Sequence, residues 1–182
     1  LAVDASGTAQ QLRRIDQVGC AALVHDQLDM RVLLENGPDA AGMVESCCRG
    51  LGDMDGRFQA AKVTLSRVEK ALEFNPRDAS AIANGAISLA IIGESERSRE
   101  WAERALALEP QNYILRYNIA CTYVELGDQA RALDLIEDSL SHLGKDHIRH
   151  TQAGPDIAVV RDHPGFARRI ADAKDRLQVD GA

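Results

Sequence analysis

Four histidines toward the C-terminus, His142, His147, His150 and His163, stand near Asp146, Asp156 and Asp162. Imidazole and carboxylate together suit zinc or iron, so this is the cluster whose composition points to a metal-dependent enzyme. Its spacing does not carry that chemistry. His147 and His150 share a face only if their segment is helical, and neither an HExxH run nor a ligand-plus-base pattern occurs. Histidines in a solvated loop beside acidic residues are the plainer reading, and no metal or cofactor is expected. Cys20, Cys47, Cys48 and Cys121 show no CxxC spacing, and adjacent Cys47 and Cys48 cannot easily bridge each other, so reduced thiols in a cytoplasmic protein are expected. Cys121 has no histidine at catalytic spacing, and Gly50, Gly52 and Gly56 lack both the GxGxxG order and the Lys-Ser/Thr pair of a phosphate loop. With no nucleophile elbow either, the chain is read as non-enzymatic. A metal-dependent enzyme built on His142, His147, His150 and His163 is the disfavoured alternative.

The dominant pattern is a spacing. Asn84, Ala86, Gly93, Glu103 and Leu106 recur thirty-four residues later as Asn118, Ala120, Gly127, Glu137 and Leu140, while Glu69, Ala71, Leu72 and Pro76 recur as Glu103, Ala105, Leu106 and Pro110. A period of this length holds two short helices that cannot bury their apolar faces alone, so successive units must stack. Of the 182 residues 45% are hydrophobic but only 4% aromatic, so the core is built from Ala, Leu, Ile and Val, and Trp101 is expected to pack against a neighbouring unit. The formal net charge of −7 argues against a broad nucleic-acid or anionic-membrane surface. No apolar run approaches the roughly twenty residues that span a bilayer. The opening Leu1, in place of methionine, is what a fragment or a processed form would show.

These residues resemble the tetratricopeptide repeat family. In Ala79 to Asn112 the pattern is Gly85, Ala86, Leu89, Gly93, Ala102, Ala105 and Pro110, and in Tyr113 to Ser139 it is Ile119, Ala120, Tyr123, Gly127, Ala132, Ile136 and Ser139. Ser98 departs from the alanine the family favours. The segment from Leu115 to Glu137, followed by Asp156 and the run Arg161-Asp162-His163-Pro164-Gly165-Phe166, is also similar to the terminal repeats of bacterial multidomain signalling proteins, notably those with a class III adenylate cyclase domain.

The resemblance implies an all-α solenoid of helical hairpins wound as a right-handed superhelix, with extra N-terminal helices and a C-terminal capping helix. Residues 1–38 are assigned to an N-terminal helical segment, with Leu12, Ile15, Val18, Ala22, Met30 and Leu33 at roughly helical spacing. Residues 39–144 hold the repeats: a distorted one over 39–76, in which about seven residues must be absorbed, then 79–112 and 113–144. A loop is expected over 145–162 and a capping helix over 163–178, with Asp162 as N-cap and Phe166, Ile170, Ala173 and Leu177 as its apolar stripe.

The same resemblance implies a concave face lined by Ser80, Ala83, Asn84, Ile87 and Ile91, then Ile114, Tyr117, Asn118, Cys121 and Glu125. Such a face binds a peptide or protein segment, with Asn84 and Asn118 available to its backbone. Ala83, Ile87, Tyr117 and Cys121 stand where a carboxylate-binding subset of the family carries Lys or Arg, which disfavours recognition of a C-terminal carboxylate. The implied function is protein–protein interaction, within a bacterial signalling protein. Self-association through uncovered apolar surface around Leu12 to Leu34 is the second reading.

Overall fold

The computed structural model describes residue 45 and residues 48–49, 52–142, 144–153 and 157–177. The expected helices of residues 1–38, and most of the expected first helix of the distorted repeat, lie outside the described residues. Within them the chain is helical, with no strand. In order come α1 (Met54–Phe74), α2 (Ala79–Ile91), α3 (Ser95–Leu108), α4 (Tyr113–Glu125), α5 (Gln129–His142), α6 (Lys145–Ala153), α7 (Ala158–Arg161) and α8 (Pro164–Arg176).

The thirty-four-residue period recurs in the hydrogen bonds that start and stop these helices. Asp78 Oδ1 accepts the Ala81 N–H at 2.9 Å to begin α2, and thirty-four residues on Asn112 Oδ1 accepts the Leu115 N–H at 3.0 Å to begin α4. Each first helix ends on a glycine with positive φ, Gly93 at 88° and Gly127 at 76°. The next N–H then folds back to the carbonyl five residues earlier, Glu94 to Leu89 and Asp128 to Tyr123, both at 2.9 Å. Gly52, at φ 72°, is built alike, with the Asp53 N–H on the Cys48 carbonyl at 2.9 Å. That places the absorbed residues. The turn before α1 is the same turn, and α1 has 21 residues where α3 and α5 have 14, so the additional seven lengthen the helix by two turns.

Helix α2 packs against α1, α3 and α4, and α4 packs against α5. Fully buried small residues, Ala86 and Ala102 in one pair and Ala120 and Ala132 in the next, let the paired helices approach closely. Ser98 is buried as well, and its hydroxyl donates to the Ala86 carbonyl at 2.7 Å. Ala132 occupies the same place thirty-four residues on, and the Ala86 carbonyl lies within α2, which supplies its own N–H. Ser98→Ala is therefore expected to change stability by less than about 1 kcal/mol in urea denaturation. A loss above about 2 kcal/mol would show that the hydroxyl itself holds the pair together.

The expected loop over 145–162 is corrected by α6 and α7. Ile148 and Thr151 are buried one turn apart, and Ile157 and Val160 join the same core, which pulls this polar stretch into helical turns. Helix α8 buries Phe166, Ile170 and Ala173 and packs on α5 and α6. Its N-cap is His163, whose Nδ1 accepts the Gly165 N–H at 3.1 Å, with Pro164 at the first helical position. Asp162, expected there, instead closes α7.

Candidate functional site

Five of the ten groove residues come together. Ser80, Ala83 and Asn84 on α2 face Ile114 and Asn118 on α4 across a cavity of about 110 Å³. Ile114 is 59% exposed although it is a large apolar residue. Asn118 is exposed, and its carboxamide has no hydrogen-bond partner among the described residues, so both its donor and its acceptor face solvent. Asn112 and Leu115 also line the cavity and were not anticipated. Asn112 is committed to the chain itself, capping α4 and donating through Nδ2 to Glu109 Oε2 at 2.7 Å. Its thirty-four-residue relation to the cap Asp78 was the available signal.

Of the other five, Ile87 and Ile91 on α2 and Cys121 and Glu125 on α4 lie farther along the same helices, and Tyr117 lies between Ile114 and Asn118. Ile87 and Ile91 are half-buried. Tyr117 and Cys121 are each 5% exposed, so a partner's side chain does not reach them. Glu125, expected to line the concave face, is held by the chain's own arginines. Arg57 on α1 donates through Nη1 to Oε1 at 2.9 Å and through Nη2 to Oε2 at 2.8 Å, and Arg49 Nη2 reaches Oε2 at 2.6 Å. Burial pushes the Glu125 pKa up, but the Arg57 hydrogen bonds and the charges of Arg49 and Arg57 outweigh it and hold the carboxyl below its ordinary range. Nearby, the Ser88 hydroxyl donates to Glu45 Oε1 at 2.9 Å. Glu45, Arg49 and Arg57 thus close the far end of the face on which the cavity opens.

Outside that face, the repeat builds a ladder of ion pairs. Arg97 Nη2 meets Glu69 Oε1 at 2.9 Å, and thirty-four residues later Arg131 Nη2 meets Glu103 Oε1 at 3.0 Å. Glu103 Oε1 also accepts the Tyr123 hydroxyl at 2.6 Å, and burial together with that carboxylate raises the tyrosine pKa. These pairs are largely exposed and add little stability individually.

The described histidine side chains do not form a centre. His142 stacks on Tyr113 with ring centroids 3.8 Å apart, its Nδ1 lies 2.9 Å from the Asp138 carbonyl, and His163 caps α8. The side chains of His147 and His150 lie outside the described residues. Among the described residues no group of three or more His, Cys, Asp or Glu side chains is arranged to hold a metal.

With paired helices and glycine turns recurring at one interval, the decisive comparison is with repeat families. Residues 101–134 match the tetratricopeptide repeat family model. The match runs through α3, α4 and the first turns of α5, and supports a tetratricopeptide-type protein; repeats of this type generally mediate protein–protein interaction. No curated protein matches the chain. No helix among the described residues is long and apolar enough to cross a membrane.

Proposed function

We propose that this chain is a non-catalytic interaction module, a right-handed superhelix of tetratricopeptide-type hairpins that holds a peptide or protein segment on its inner face. The observation that carries this reading is the opening between α2 and α4, where the exposed Ile114 and the unpartnered Asn118 carboxamide stand side by side with Ser80 and Asn84. An apolar anchor from the partner covers Ile114, while its backbone exchanges hydrogen bonds with the Asn118 carboxamide. Because Arg49 and Arg57 close the end at Glu125, the segment read is short, and Tyr117 and Cys121 shape the floor from beneath rather than touching it.

On this reading the module works in the cytoplasm as the regulatory part of a larger bacterial signalling protein. The order of Arg161, Asp162, His163, Pro164 and Phe166 supports the assignment.

A photo-crosslinking residue at position 118, with one at the outward Lys62 as control, identifies the bound segment in native extracts. Ile114→Asp combined with Asn118→Ala should then weaken titration by a synthetic copy of that segment at least about tenfold, with the thermal transition unchanged. Unchanged affinity in a folded variant would overturn the inner-face assignment.

A further inference from the structure

Along α2 and α4 the inner face presents no unpaired charge. Helix α2, Ala79–Ile91, is built wholly of uncharged residues. Helix α4 carries two charged side chains, Arg116 and Glu125, and the chain itself engages both. Arg116 Nη1 meets Asp138 Oδ2 on α5 at 2.5 Å, and its Nε donates to the Pro110 carbonyl at 3.0 Å. Glu125 is held by Arg57 and Arg49 at the closed end. Every residue lining the opening between the two helices is uncharged, and the side chains exposed there are those of Ser80, Ile114 and Asn118. Arg77, in the turn before α2, does not line it.

The backbone is the remaining source of charge. The opening lies over the first two turns of both helices, where the aligned peptide dipoles favour an anion. The caps offset that preference. Asp78 sets a carboxylate at the start of α2, its Oδ1 accepting the Ala81 N–H, and Glu109 sets another at the start of α4, its Oε2 accepting from the cap Asn112. A carboxylate brought by a partner therefore meets neither a free cation nor an uncompensated helix end, and an ammonium or guanidinium meets only carboxylates already committed to the caps. Either one, pressed against this surface, loses water without gaining a counter-charge. Resting on the reading of this face as the binding surface, we propose that it selects an uncharged segment of its partner, with no Asp, Glu, Lys or Arg against α2 and α4, and holds it with an affinity that salt does not change.

The probes are three mixtures of short peptides with acetylated and amidated ends, each with a central leucine, offered to the immobilised full-length chain. The flanking positions are drawn from Ala, Val, Ser, Thr, Asn and Gln in the first mixture, with Glu added in the second and Lys added in the third. Uncharged peptides should be retained at least about tenfold better than those with Glu or Lys beside the leucine, and at least about tenfold better by the parent than by Ile114→Asp combined with Asn118→Ala. Their retention should change less than about twofold between about 0.05 and 0.5 M salt. Ser80→Lys, at an exposed position on the opening, should turn the preference toward the glutamate mixture. Charged peptides retained as well as uncharged ones through Ile114 and Asn118, a loss of about tenfold with salt, or an unaltered preference in Ser80→Lys would overturn the selection by charge and leave the inner face as the binding surface. Retention by the double variant equal to the parent's for every mixture would overturn the binding surface itself, and the selection with it.

Discussion

Glu125→Ala is expected to destabilise the chain by about 3 kcal/mol or more in chemical denaturation, far beyond the effect of cutting any ion pair on the outer ladder. The difference lies in burial. The Arg57 side chain is 3% exposed and points both terminal nitrogens at Glu125, while its Nε has no partner, so removing the carboxylate strands a desolvated cation. Arg49 is less enclosed and can recover water. Glu103→Ala, by contrast, unpairs the half-exposed Arg131, and exposed pairs contribute roughly 0–1 kcal/mol. Arg57→Leu combined with Glu125→Leu should lose less than Glu125→Ala alone, because no buried charge is left behind. A single variant within about 1 kcal/mol of the parent would mean that Arg57 and Arg49 are not held on α4 by this contact.

The same pair sets a sign for acid stability. Folding lowers the Glu125 pKa, so its stabilisation is complete above the ordinary glutamate value, about 4.3, and is lost as pH falls through the depressed value of the folded chain. Denaturation midpoints should be flat on this account above about pH 5 and should fall below it. Glu125→Gln, less stable at neutral pH, should show a shallower fall.

The parts of the fold most legible in the sequence are those where local chemistry repeats. Gly93 and Gly127, Pro76 and Pro110, and the caps Asp78 and Asn112 each perform one task in a few residues, so a spacing read along the chain recovers them. Helix α6 was hidden because its stretch is mostly polar and the apolar residues it shares a core with, Ile157, Val160 and Phe166, come later in the chain. The need to absorb seven residues was visible, but its location was not: only the turn at Gly52 assigns them to α1. The inner face was half legible for a similar reason. Helical spacing puts Asn118 and Glu125 on related faces, yet whether each meets solvent depends on residues far away in sequence. Arg57, 68 positions from Glu125, closes one end and leaves the other open.

A substitution already present in the chain predicts the second large effect. A Cβ on Gly85 would lie 2.6 Å from Trp101 Cε3, closer still to Cζ3, and 3.0 Å from Val68 Cγ1, so the indole occupies the volume that a side chain on α2 would need. Thirty-four residues on, the equivalents of Val68, Gly85 and Trp101 are Ala102, Ile119 and Leu135, all buried. The same space is filled there by a large residue on the first helix and smaller ones on its neighbours. Gly85→Ile should therefore cost about 2–3 kcal/mol despite the better helix propensity of isoleucine, because the aromatic ring and α1 must both move. Trp101→Leu alone should cost about as much by leaving a void. Together they should cost less than the sum by at least about 2 kcal/mol, and adding Val68→Ala should recover more, since the triple variant copies the next repeat's packing. Additive losses in a double-mutant cycle by urea denaturation would mean that the two repeats pack by different rules, and that the thirty-four-residue equivalence stops at the backbone.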